Sequence, residues 1–151
     1  MNTTDAALLE SLKGKLKATW MAGNYDYFSR FMESSAVEFL ARLPVRAGDR
    51  LLDVACGSGQ LALLAARKGA KVTGVDIATN AIEAARGRAG SDGLDAKFDE
   101  GDAEDLRYGD ESFDVVASIY GAMFAPRPDR VTRELVRVCR CLLYTSDAAD
   151  E

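Results

Sequence analysis

The stretch Asp53-Val54-Ala55-Cys56-Gly57-Ser58-Gly59, DVACGSG, closes an apolar run that begins at Leu51 and opens a helical one, SGQLALLAARKGA. Gly57-Ser58-Gly59-Gln60-Leu61-Ala62 fits G-x-G-x-x-G/A, the spacing of a glycine turn that lets backbone approach a nucleotide. Asp76 ends the next strand-like run, where a carboxylate can hold a ribose. Glycines in such a turn can also serve packing alone. The feature to be explained is Asp53, a carboxylate four residues ahead of Gly57. A pyrophosphate wants backbone N–H groups and the positive end of a helix. An ionised carboxylate at 4 Å would cost it about 1 to 4 kcal/mol for effective dielectrics of 80 to 20. A ligand with an amino cation and a sulfonium gains from the same charge. S-adenosylmethionine is such a ligand, with an adenosine half and no phosphate. The duller roles for Asp53 are a solvated strand end or a cap for the helix that follows.

Outward from the turn, strands and helices alternate. KVTGVDI reads as a strand, ATNAIEAARGRAG as a helix, DAKFDEG as a weaker strand, FDVVASIYG as a strand and RPDRVTRELVRVC as a helix. Gly69 is placed to cap the helix after the glycine turn. Alternation of this kind predicts an α/β sandwich with a parallel sheet and right-handed crossovers. Two helices precede it. One runs from Asp5, a plausible cap, to about Trp20, with Leu8, Leu9, Leu12 and Leu16 at helical spacing. The other runs from about Tyr27 to Arg42 and must stop near Pro44.

The 151 residues suit one domain or most of one. A chain this long can bury roughly 68–70% of its unfolded surface, so it needs no staples. A net charge of −5 without a long basic run gives no nucleic-acid footprint. Histidine is absent, which removes the commonest general base and zinc ligand, and Cys56, Cys139 and Cys141 lack metal-site spacing. Cys56 reads as a small buried filler. MNTTDAALLESLKGK lacks a basic region followed by an apolar stretch, and no apolar run reaches the roughly 18 residues of a membrane span. The expectation is a cytoplasmic protein that takes a small-molecule substrate, with no nucleic-acid or membrane partner.

LLDVACGSGQLALLAARKGAKVTGVDIATNAIEAARGRA resembles the first motif and following acidic strand of class I S-adenosylmethionine-dependent methyltransferases. FDEGDAEDLRYGDESFDVVASIYGAMFAPRPDRVTRELVRVCR resembles their second half-site, above all that of the small-molecule enzymes. The resemblance covers about Arg46 to Arg140 and implies a Rossmann-like three-layer sandwich with strand order 3-2-1-4. It further implies that Asp53 faces the methionine amino end, while Ala55, Gly57 and Gly59 let backbone approach the cofactor. Asp76 would accept both ribose hydroxyls and Ile77 would pack on adenine. Asp102 would accept from the adenine amino group, the Ala103 N–H would meet a ring nitrogen, and Ser118, Ile119 and Tyr120 would line the pocket beside the methyl. No catalytic base is implied. The family often has Gly where Ala55 stands and Pro where Arg107 stands. Asp102 can also be read as one acid of a solvated turn with Glu100, Glu104 and Asp105, and Tyr120 as core closure. Trp20, Tyr25 and Tyr27 are read either as a lid or as packing between the first two helices.

The expected layout is a helical segment at 1–44, a partial cofactor-binding domain at 45–140 and a tail at 141–151. That tail, CLLYTSDAADE, has no hydrophobic period and resembles translated sequencing adapter, so the methyltransferase text is expected to stop near Arg140. Two other classes stay open: an NAD-dependent oxidoreductase using the same glycines and Asp76, and a non-catalytic cofactor-binding module.

Overall fold

A computed structural model describes residues 3–23 and 32–140. In chain order its elements are α1 (Thr3–Ala22), α2 (Glu33–Arg42), β1 (Arg50–Val54), α3 (Gln60–Arg67) and β2 (Lys71–Asp76). They continue with α4 (Thr79–Ser91), β3 (Ala96–Glu100), β4 (Val115–Ala117), a 3-10 turn (Gly121–Phe124) and α5 (Pro128–Val138). The sheet is parallel throughout, in the order β3-β2-β1-β4. The α/β sandwich and the strand order expected from the sequence are both present.

Each boundary has a local cause. Helix α2 gives way at Leu43, which is extended ahead of Pro44. Helix α3 closes in a Schellman motif, with the Gly69 N–H on the Ala66 carbonyl and the Ala70 N–H on that of Ala65. The central strand β1 is buried on both faces. Leu51 packs with Phe39, Leu61, Ile82 and Phe98 on one side. Leu52 and Val54 pack with Phe113, Val131, Leu135 and Val138 on the other. Two-sided burial explains why β1 reads as a continuous apolar run rather than an alternating one.

Two expectations need correction. The strand foreseen over Phe113–Gly121 pairs with β1 only at Val115–Ala117; Phe113 bridges instead to Cys139, and Ser118 onward leaves the ladder for the 3-10 turn. In α1, Asp5 lies inside the first turn instead of capping it, and the expected apolar stripe does not pack as one: Leu8 and Leu12 are exposed. The inner face carries Leu9, Lys13, Leu16 and Trp20, all half-buried. Tyr25, Tyr27, the first part of the second helix and the tail from Cys141 lie outside the described residues.

In-register parallel pairing places Asp53 beside Gly74 and Ala117, and Asp76 beside Glu100. The carboxyl ends of all four strands therefore share one edge. There β1 has β2 on one side and β4 on the other, the switch point where open α/β sheets take ligands.

Candidate functional site

A cavity of about 450 Å³ opens at that edge. Its floor is the turn after β1. Ala55, Gly57 and Gly59 all have left-handed φ, of 56°, 54° and 86°. Gly59 must be glycine twice over, since a Cβ there would also stand 3.2 Å from the Phe98 ring. Ala55 adopts the same backbone region with a methyl. Gly121, at the start of the 3-10 turn, makes room for that methyl: a Cβ on Gly121 would lie 2.4 Å from Ala55 Cβ.

Asp53 is 2% exposed. Its Oδ2 accepts the Ala62 N–H at 3.1 Å, in the first turn of α3. The capping role is therefore real, but it uses one oxygen, and Oδ1 has no hydrogen-bond partner among the described residues. Burial raises the Asp53 pKa to about 8; the Ala62 N–H opposes the rise and the nearby Asp76 charge adds to it. Asp53 thus brings to the cavity lining a buried carboxyl group with one oxygen unpartnered among the described residues.

Asp76 is held by the loops on either side of it. Its Oδ2 accepts the Gly57 N–H and its Oδ1 the Ala78 N–H, both at 2.8 Å. Burial moves its pKa up against the pull of those N–H groups. Each oxygen keeps lone-pair capacity toward the cavity. The carboxylate thus ties the glycine turn to the loop after β2.

Asp102 follows β3. Its Oδ1 accepts the Glu104 N–H at 2.9 Å, and its Oδ2 is ion-paired with Lys13 of α1. The solvated-turn alternative fails for its neighbour: Glu104 is 1% exposed. The Glu104 carboxylate takes Lys13 at 2.7 Å, Arg127 Nε at 2.8 Å and the Arg127 N–H at 2.7 Å. Burial pushes the Glu104 carboxyl up, but the Lys13 and Arg127 hydrogen bonds together outweigh it and leave it below the usual range.

Of the eleven residues singled out from the sequence, Asp53, Ala55, Gly57, Asp76, Ile77, Asp102, Ala103, Ile119 and Tyr120 line this one cavity. Gly59 and Ser118 do not. Gly59 is turned toward Phe98, and the Ser118 hydroxyl accepts the Ala122 N–H at 3.3 Å where the chain curls into the 3-10 turn. Tyr120 is 43% exposed, which rules out core closure. Trp20 lines the cavity, and its ring meets that of Phe124 at a tilt with centroids 5.2 Å apart. Cys56 is buried and its thiol pKa is raised by burial. Lys13, Glu104 and Arg127 were missed. Lys13 and Asp102 are 89 residues apart, and no local spacing announces their meeting.

The methyltransferase-domain family matches residues 52–141. The chain belongs to that family. Methyltransferase GfsG of Streptomyces halstedii is 42% identical over 111 residues, 72% of this chain and 40% of that protein. The 27-O-demethylrifamycin SV methyltransferase of Amycolatopsis mediterranei is 37% identical over 125 residues, 78% of this chain and 46% of that one. Among solved structures, the [4+2]-cyclase SpnF superposes with a TM-score of 0.71 at 31% identity, covering 75% of this chain and 43% of that one. This methyltransferase domain thus spans less than half the length of the two curated methyltransferases it matches. No described helix is long and apolar enough to cross a membrane.

Proposed function

We propose that this chain carries the S-adenosylmethionine site of an enzyme that methylates a small-molecule acceptor. The observation behind this reading is the buried Asp53 carboxylate, which lines the cavity beside the glycine turn and has one oxygen without a partner among the described residues. An ammonium on that oxygen would draw Asp53 into its charged form and complete the site, whereas a pyrophosphate would be repelled by that form. The residues present fit the cofactor. Asp53 would take its amino end, Asp76 its ribose hydroxyls, Ile77 and Ala103 the adenine ring, and Asp102 the adenine amino group. The cofactor supplies a methyl group on a sulfonium, activated for in-line displacement.

The chain's own contribution is binding, orientation and exclusion of water. Ala55 and Gly57 let the backbone approach the ligand. Trp20, Met32, Tyr120 and Phe124 line the cavity with apolar and aromatic surface. Such surface suits an acceptor with a large apolar body. The rifamycin relative is named for an acceptor of that kind, which supports the same class here. The cyclase SpnF shares the fold, so the fold alone does not assign methyl transfer. Calorimetric titration with S-adenosylhomocysteine, with NADH as control, tests the cofactor site. Binding of the first alone is expected; binding of NADH alone would overturn the reading.

A further inference from the structure

Helix α1 lies over the open edge of the sheet, and its ties to the domain are largely polar. Lys13 pairs with Asp102 and Glu104, Lys17 pairs with Glu100, and Asn80 Nδ2 donates to the Met21 carbonyl at 3.2 Å. No described residue of α1 is fully buried. A helix with no fully buried described residue opens at lower cost than the elements of the core.

The site of the Lys13 contact is what matters. The Lys13 side chain is 12% exposed, with its ammonium on the oxygen of Asp102 that the internal Glu104 N–H leaves free. Lys13 therefore takes one lone pair of that oxygen, and a second donor such as an adenine amino group would have to approach it beside the ammonium and meet like polarity. Glu104 can hold the ammonium without Asp102, at 2.7 Å, and Arg127 keeps Glu104 neutralised in either arrangement. The network of two acids and two cations thus has a second resting place for Lys13. We propose that Lys13 is a latch: it closes α1 over the adenine side of the pocket by holding Asp102, and it must withdraw to Glu104 when adenosine binds. The competition rests on the assignment of Asp102 to adenine made above; the closure of α1 by Lys13 does not.

Lys13→Met removes the ammonium, keeps the stem, and leaves Glu104 paired with Arg127. Without ligand, amide exchange in α1 is expected to speed up in Lys13→Met. Adenosine and S-adenosylhomocysteine are expected to bind this variant roughly three- to tenfold more tightly than the wild type, because the competent state no longer has to be released. Added salt is expected to tighten wild-type binding and to leave the variant's unchanged. Lys17→Met, which loosens α1 without touching Asp102, is the control and should bind as the wild type does. Equal or weaker binding by Lys13→Met, or equal tightening by Lys17→Met, overturns the latch while the cofactor assignment stands. If neither wild type nor variant binds either ligand, the cofactor assignment falls and the competition falls with it. Unchanged exchange in α1 overturns the closure.

Discussion

Asp53 should make cofactor binding proton-linked. Its pKa of about 8 means that at pH 7 the ligand-free site is roughly nine-tenths protonated. An ammonium that docks on the free oxygen favours the carboxylate and expels that proton. The expected release at pH 7 is about 0.9 proton per ligand bound. Between pH 6 and pH 7.5 the ionised fraction rises roughly 20- to 30-fold, and affinity for S-adenosylhomocysteine should rise with it, levelling above pH 8. Titration calorimetry in two buffers of different ionisation enthalpy reads the proton count directly. Asp53→Asn keeps an acceptor for the Ala62 N–H but has no proton to give, so its release should vanish and its affinity should be flat across that range. Asp76 is also shifted upward by burial, but its expected donors are neutral hydroxyls, and the variant separates the two. No proton release at pH 7 in the wild type, or the same release in Asp53→Asn, would refute the reasoning.

The same group sets a stability profile without ligand. The unfolded carboxyl ionises near pH 4 and the folded one near about 8. The folded state therefore binds the extra proton between these values. Its stability advantage is complete below about pH 4 and is lost as pH climbs toward 8. Asp53→Asn should flatten that slope in denaturant midpoints measured across pH 5 to 8.

Other substitutions read other parts of the site. Asp76→Ala removes a carboxylate expected to make two charge-assisted bonds and should weaken S-adenosylhomocysteine binding by roughly 10²- to 10⁴-fold in the same calorimetry. Gly121→Ala drives a methyl against Ala55 Cβ, 2.4 Å away, and should cost about 1–3 kcal/mol by urea unfolding. Adding Ala55→Gly should recover most of that loss, and a strictly additive pair would refute the contact. Glu104→Ala strands Lys13 and Arg127 without their buried counter-ion and should destabilise by about 3–5 kcal/mol in the same assay.

How far the sequence could be read depended on the range of the contacts involved. The alternation of strands and helices was legible because each βα unit is local, with apolar period and Gly69 marking its pieces within a few residues of where they act; the strand order came from the family resemblance, not from these local signals. The floor of the site was legible for the same reason, since Asp53, Ala55, Gly57 and Asp76 belong to two successive strand ends. The extent of β4 was not. A continuous apolar string such as VVASIY does not say where a neighbour stops pairing, and here β1 pairs with three residues of it. The network under α1 was not legible either. Glu104 stands in a run of acids that reads as a solvated loop, and it is buried only because Lys13 and Arg127 reach it from opposite ends of the chain. Leu8 and Leu12 show the converse error: helical spacing of leucines predicted a packed stripe, and both are exposed.

The question raised by DVACGSG then has a physical answer. The fold asks for an acceptor at position 53, because the Ala62 N–H at the start of α3 needs one. It does not ask for a charge. Asn or Ser would cap the same N–H without the desolvation that drives the Asp53 pKa to about 8, and without the added repulsion from Asp76. A carboxylate in that place is a cost to the ligand-free domain. A proton meets that cost in the ligand-free domain, and a cation on the oxygen that has no protein partner among the described residues meets it with the carboxylate ionised. Burial, the empty oxygen and the raised pKa are three consequences of that one placement, and a ligand with an ammonium beside its adenosine is the kind that turns all three to advantage.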